Sequence, residues 1–214
     1  MVSRKAVKKP RDSREKILRV ASKEFSNRGL AGARVDRIAE LAKTSKNMIY
    51  YHFGNKEGLY QEVIRLAYVN HRSAELKSDR DVSDPISALS GLIERSFDHF
   101  CGNEVFVRLL MGENINRAGA LQPVLSTLRQ DNDLVIKKLR HILDEGIASG
   151  VFRSDIDPVS LHLTISALGF HYVSNRYTFI SLFGNDMTSK EALAKRRAEV
   201  VDIVLSWCAP KAEQ

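Results

Sequence analysis

Apolar residues return along this chain every three or four positions, and nowhere do they alternate with polar ones over the length of a strand. Asp12 followed by Glu15 reads as a capping box, and Ile17, Ala21 and Phe25 form one face of the helix it opens. Gly29 is placed to end that helix. A second, short helix carries Val35, Ile38, Ala39 and Ala42. After a turn at Lys43-Thr44, Ser45 caps a third helix with Ile49 and Phe53 facing inward. Gly54-Asn55 breaks the chain again. Asn55 caps a fourth helix, which starts Lys56-Glu57 and runs past Leu59, Val63, Leu66 and Ala67. The polar stretch KSDRDVSDP, Lys77–Pro85, reads as a hinge.

Beyond the hinge the pattern predicts helices over about Pro85–Cys101, Glu104–Arg117 and Gln122–Ser149. A helix capped by Asp157 then continues to about Phe183, and a last one spans about Ser189–Cys208. The expected fold is all-α, divided into a tail (1–11), a small helical head (12–56), a linking helix and hinge (57–84) and a helical body (85–214). The last two helices are apolar over a wide arc, through Leu161, Leu163, Ile165, Leu168, Phe170 and Val173, then Val200, Val201, Ile203, Val204, Leu205 and Trp207. A helix packed on one side needs a stripe only about 100° wide. The excess needs a second surface, either more of the chain's own core or another subunit. Because these helices are terminal, a two-fold mate is the favoured reading.

Charge changes this picture. The net charge of +7 is unevenly spread: residues 1–56 hold 15 Lys/Arg against 5 Asp/Glu, and the remainder is mildly acidic. A basic head on an acidic body points to a polyanionic partner for the head. The first residues alone (Arg4, Lys5, Lys8, Lys9, Arg11) could be no more than a solvated tail. The positive charge continues into the periodic region, however. Cys101 and Cys208 fit no metal-ligand or redox spacing and read as small core residues in a reducing compartment. No apolar h-region follows the basic start, and no apolar run approaches the ~18 residues of a membrane span. A cytoplasmic protein with no membrane association is expected.

The second and third helices are joined by a very short turn, which is helix-turn-helix logic: one helix braces, the next enters the DNA major groove. The third helix offers groove chemistry. Lys46 is suited to guanine O6/N7, Asn47 to an adenine edge and Tyr50 to a thymine methyl group. Tyr51 and His52 are expected at phosphates, as is Lys56 at a helix N-terminus, where free N–H groups also attract them. Arg34 is placed for the backbone of the other strand. Any one of these residues is as well explained by packing or by ordinary surface charge. Their convergence on one short helix of a basic head favours double-stranded DNA.

The stretch VDRIAELAKTSKNMIYYHFGNKEGLY (Val35–Tyr60), with REKILRVASKEFSNRGLAGARV (Arg14–Val35) before it, resembles the DNA-binding signature of the tetracycline-repressor (TetR/AcrR) family. That resemblance implies a homodimeric transcriptional regulator, usually a repressor, that binds a palindromic operator and answers to a small-molecule effector. It implies about nine helices: a three-helix reading head, a linking fourth helix, and a body whose last two helices form the dimer interface. The matching positions place Lys46, Asn47 and Tyr50 near bases. Arg34, Tyr51, His52 and Lys56 fall near the backbone, and Ser45, the cap residue, is counted with them among the DNA-binding residues. Lys43 departs from the pattern, which usually has Gly in this turn, and could add a phosphate contact.

Effector binding is less legible. Polar residues isolated on apolar helix faces are the candidates: His99, Arg108, Asn114, His171, Tyr172, Asn175 and Arg176. The segment GFHYVSNRY (Gly169–Tyr177) is the richest cluster and could equally be dimer interface. A regulator without ligand control, or a less specific architectural DNA-binding protein, is the alternative. No cofactor is expected. Enzyme chemistry has little support: His141 and Glu145 form an i, i+4 pair with no third ligand, and no P-loop, GxGxxG or nucleophile elbow is present.

Overall fold

A computed structural model describes residues 10–77 and 84–210. Among them are ten α-helices, one short 3-10 helix at Gln122–Val124, and no strand. The chain divides into two compact units. One holds the chain up to Ala67 together with Arg108–Leu125, and the other holds Tyr68–Val107 and the chain from Ser126 on.

The first unit opens with α1 (Pro10–Gly32). Its described part starts at Pro10, so Asp12 stands inside the helix and not at its cap. The side chain of Asp12 lies outside the described residues, as do residues 1–9 of the expected tail and 78–83 of the expected hinge. Gly29 does interrupt the helix, with φ 64 and ψ 178. α2 (Val35–Ala42), α3 (Lys46–Phe53) and the first half of α4 (Lys56–Leu76) follow. Ile17, Ala21 and Phe25 of α1, Ile38 of α2, Ile49 of α3 and Leu59 and Tyr60 of α4 are buried together, with the Phe25 and Tyr60 rings edge to face at 4.9 Å. Glu24 is the bracing charge of this unit. It is 5% exposed, pairs with Arg28 (3.3 Å) and Arg37 (3.2 Å), and accepts the backbone N–H of Arg34 at 3.4 Å.

The α2–α3 turn explains its own sequence. Thr44 N–H bonds Ala39 O and Lys43 N–H bonds Glu40 O, both at 3.0 Å, which is a Schellman closure. It requires a left-handed residue, and Lys43 supplies it at φ 52, ψ 51. A side chain there costs about 1 kcal/mol or more relative to glycine, partly offset by glycine's larger unfolded-state entropy. Lys43→Gly is therefore expected to hold or raise the urea unfolding midpoint. A fall of more than about 1 kcal/mol would contradict this reading of the turn.

The second unit is built on α5 (Pro85–Gly102), α7 (Leu125–Ala148), α8 (Pro158–Ser174) and α10 (Lys190–Cys208), with the start of α6 (Glu104–Ile115) and the end of α4. Its core joins Leu89, Ile93 and Phe97 of α5 to Leu139 and Ile142 of α7, Leu161 and Ile165 of α8, and Val200 and Val204 of α10. Asp157 caps α8, accepting Ser160 N–H at 2.7 Å, as the sequence predicts. The expected continuous helix to Phe183 is instead broken at Asn175, which adds α9 (Arg176–Phe183) and makes ten helices of the expected nine or so. The cause is local. Asn175 leaves helical geometry at φ −107, ψ 1; its N–H still bonds His171 O (3.1 Å), and its side-chain amide donates to the same carbonyl (3.2 Å) and to Ser174 Oγ (2.9 Å), holding the bend. Cys101 and Cys208 are free thiols, and burial pushes each up to about 11, which leaves them unreactive. No helix among the described residues is long and apolar enough to cross a membrane.

Candidate nucleic-acid interface

Two caps aim α3. Ser45 accepts Met48 N–H at 3.2 Å, and Asn55 accepts Gly58 N–H at 2.7 Å to start α4. Ile49 is fully buried beneath α3, and Phe53 is half-buried with the Arg14 guanidinium 5.3 Å over its ring. Arg14 is fixed in turn by Glu62 at 2.6 Å. With one face pinned, the other is set. At about 100° per residue, Lys46, Tyr50, Asn47 and Tyr51 fall within an arc of roughly 140°, and all four are exposed.

Lys46 does not hang free. Its Nζ lies 3.0 Å from Asp36 Oδ1 and 6.0 Å over the Tyr50 ring. The hydrogen bond to Asp36, and then the Asp36 charge, raise the ammonium above its ordinary range. It is fully charged at neutral pH, pre-aimed along the arc, and held by an exposed partner that a better acceptor can replace. His52 lies off the arc, about 100° beyond Tyr51. It is half-buried, and its Nε2 is buried without a hydrogen-bond partner. Lys56 donates to Ala31 O at 3.1 Å, which holds its ammonium beside the N-terminus of α4. Arg34 is exposed just ahead of α2 and lines a cleft of about 410 Å³ with Arg28 and Arg37. Sequence reasoning did not single out Asp36, Glu24 or Arg37. The i, i+4 pair of Glu24 and Arg28 was the one available signal.

The effector candidates fall in three places. Arg108 and Asn114 belong to the first unit, where Arg108 Nε donates to Ser26 O (3.1 Å) and Asn114 to Leu110 O (2.8 Å). His171, Tyr172 and Asn175 stay together in the second unit. Tyr172 Oη donates to Met187 O at 3.0 Å, and Asn175 Nδ2 meets His171 Nδ1 at 3.1 Å. Arg176 pairs with Glu104.

His99 lies elsewhere in the second unit, its ring 4.8 Å from that of His71, a buried residue that the sequence did not flag. The rings of Phe100 (4.5 Å) and Phe106 (4.8 Å) complete a cage around His71. Both His71 nitrogens lack hydrogen bonds, although Nε2 faces the Glu75 carboxylate at 3.5 Å. Burial pushes His71 down to about 3, so it is neutral at pH 7. Burial alone would raise Glu75, but the hydrogen bond with His162, the His71 charge present in acid and the Arg72 charge outweigh it and hold the carboxyl at about 2. Among the described residues no group of three or more His, Cys, Asp or Glu is arranged to hold a metal.

Comparison with known proteins bears on this arrangement. Residues 17–63 match the family described as bacterial regulatory proteins, tetR family, and residues 85–204 match the tetracyclin repressor-like C-terminal domain. The chain is 35% identical over 193 residues to the HTH-type transcriptional repressor NicS of Pseudomonas putida, covering 90% of this chain and 91% of that one. It superimposes on a putative transcriptional regulator, SCO4942 of Streptomyces coelicolor, with a TM-score of 0.67, 26% identity, and coverage of 92% of this chain and 99% of that one. The ketosteroid transcriptional regulator KstR2 of Mycobacterium tuberculosis shares the fold at a TM-score of 0.66 and 23% identity, over 92% and 95% of the two chains.

Proposed function

The chain belongs to the tetracycline-repressor family of bacterial regulators, and from that premise we propose that it is a homodimeric repressor that binds a palindromic operator and is released by a small-molecule effector. The family is a class of transcriptional regulators, not of enzymes. The observation that carries the reading is the exposed arc of Lys46, Asn47, Tyr50 and Tyr51, held by buried Ile49 below it, by the Ser45 cap at its start and by Gly54 N–H on Tyr50 O at its end. In this reading Lys46 exchanges Asp36 for a base edge, Asn47 and Tyr50 read neighbouring positions, and Tyr51, Arg34, Lys43 and Lys56 hold phosphates. Ser45 acts through its cap. His52, off the arc, acts at the edge of the interface.

The dimer is assigned to α8 and α10. Val159 and Leu163 on α8, and Ile203 and Trp207 on α10, are each four residues apart, apolar and exposed. That is the stripe a second copy would cover, and two-fold pairing of operator half-sites follows from it. Effector control is assigned to the second unit, where polar side chains stand among aromatic rings. Phosphate contact is tested apart from base reading by Lys56→Ala. It is expected to weaken all duplexes alike and to reduce the slope of log affinity against log salt by about 1. An unchanged slope in an equilibrium titration would remove Lys56 from the interface.

A further inference from the structure

The second unit carries a cleft of about 450 Å³ between the end of α8, α9 and the first half of α10. That volume is in the usual range for small-molecule sites, roughly 300–1,000 Å³. Its wall is aromatic: Tyr172 from α8, and Phe179 and Phe183 from α9, whose rings lie 5.3 Å apart. Phe179 and Phe183 are 41% and 63% exposed, so much of this wall is bare.

The charges around the cleft are not equally available. Asp186 is spent on its own loop, accepting Thr188 N–H at 2.8 Å and Ser189 N–H at 3.2 Å ahead of α10. Glu199 is paired with Arg196 at 3.3 Å. Lys195 has no ion pair among the described residues, and Arg196 Nε is buried without a hydrogen-bond partner. Arg196 is also engaged over the Tyr172 ring at 5.9 Å, so what remains unspent is the Lys195 cation, beside flat apolar rings.

We propose that this cleft binds a small, flat aromatic anion, with Lys195 as its charge partner and Phe179 and Phe183 as its stacking wall. The proposal narrows the effector reading above to one site and one ligand class, and rests on that reading only for its regulatory consequence. A cationic ligand would meet Lys195 as a like charge, and an aliphatic one would leave the aromatic faces without partners.

Calorimetric titration of the full chain with benzoate tests it, with benzylamine as the opposite-charge probe. Benzoate is expected to bind at one site per chain and benzylamine not to bind. Lys195→Glu, a change at an exposed position, is expected to weaken benzoate by about tenfold or more. Phe183→Ser is expected to weaken it as well. No benzoate binding, equal binding of benzylamine, or binding unaltered in Lys195→Glu would each overturn the proposal. So would a cleft blocked by a second copy, seen as benzoate binding only after Leu163→Asp, on the proposed dimer stripe and outside the cleft, makes the chain monomeric. Operator affinity measured in parallel reports on the effector reading alone. Unchanged affinity with benzoate bound would sink that reading and leave the site standing.

Discussion

Replacing Glu75 with alanine is expected to lower folding stability by about 3–5 kcal/mol, the range for removing one partner of a buried ion pair. Glu75 is fully buried and accepts Arg72 Nη1 (2.5 Å) and Ser96 Oγ (3.0 Å), with His162 Nε2 at 3.4 Å. Without it, the Arg72 guanidinium keeps Asn132 but loses its counter-charge among the described residues. Glu75→Gln keeps the volume and most of the packing, so a similar loss there would locate the effect in the charge. Urea unfolding at pH 7 measures both. A loss under about 1 kcal/mol for the alanine variant would show that the network is not held by this carboxylate.

Acid should act on the same cluster. His71 is depressed to about 3 in the folded chain, against an ordinary 6.5, so the unfolded chain binds more protons below that value. Its contribution to stability is complete above about pH 6.5 and is lost as the pH falls toward 3. Glu75, depressed to about 2 from 4.5, contributes fully above about pH 4.5 and loses that contribution as the pH falls through 2. Both act in the same direction. His71→Phe, placed among rings and carrying no unsatisfied nitrogens, is expected to flatten the upper part of the acid transition without lowering stability at pH 7.

Tyr50→Ala is expected to cost about 1–3 kcal/mol on the preferred duplex and much less on a scrambled one. Tyr50 lies on the arc between Lys46 and Asn47, 37% exposed, with the Lys46 ammonium over its ring. In the proposed reading its loss removes a base contact and a guide for Lys46 together, so preference should relax at one or two positions per half-site. Equal losses on the two duplexes would make Tyr50 a backbone contact.

The head was legible in the sequence because its determinants are local. The starts of α3 and α4 follow from caps at Ser45 and Asn55, and the run of α2 from apolar spacing within a few residues. The left-handed turn at Lys43 was legible as an exception to the usual glycine. The break at Asn175 was not, because RYTFISLF continues the apolar pattern and the interruption depends on where one amide side chain turns. Nor could the sequence join His71 and Glu75 to His99 and His162, which are brought together only by packing of α4, α5 and α8. The hold of Asp36 on Lys46 also crosses ten residues and a turn. It sets the resting position of the side chain to which the proposed function gives a base contact.

The most direct test of the account is selection of the purified chain on a randomised duplex library at near-physiological salt, read by sequencing. The account predicts an inverted repeat with half-site centres roughly one helical turn apart, about 34–36 Å or a multiple of it, and loss of that enrichment in Tyr50→Ala. Enrichment of no motif, or of an unrepeated site indifferent to Tyr50, would contradict it.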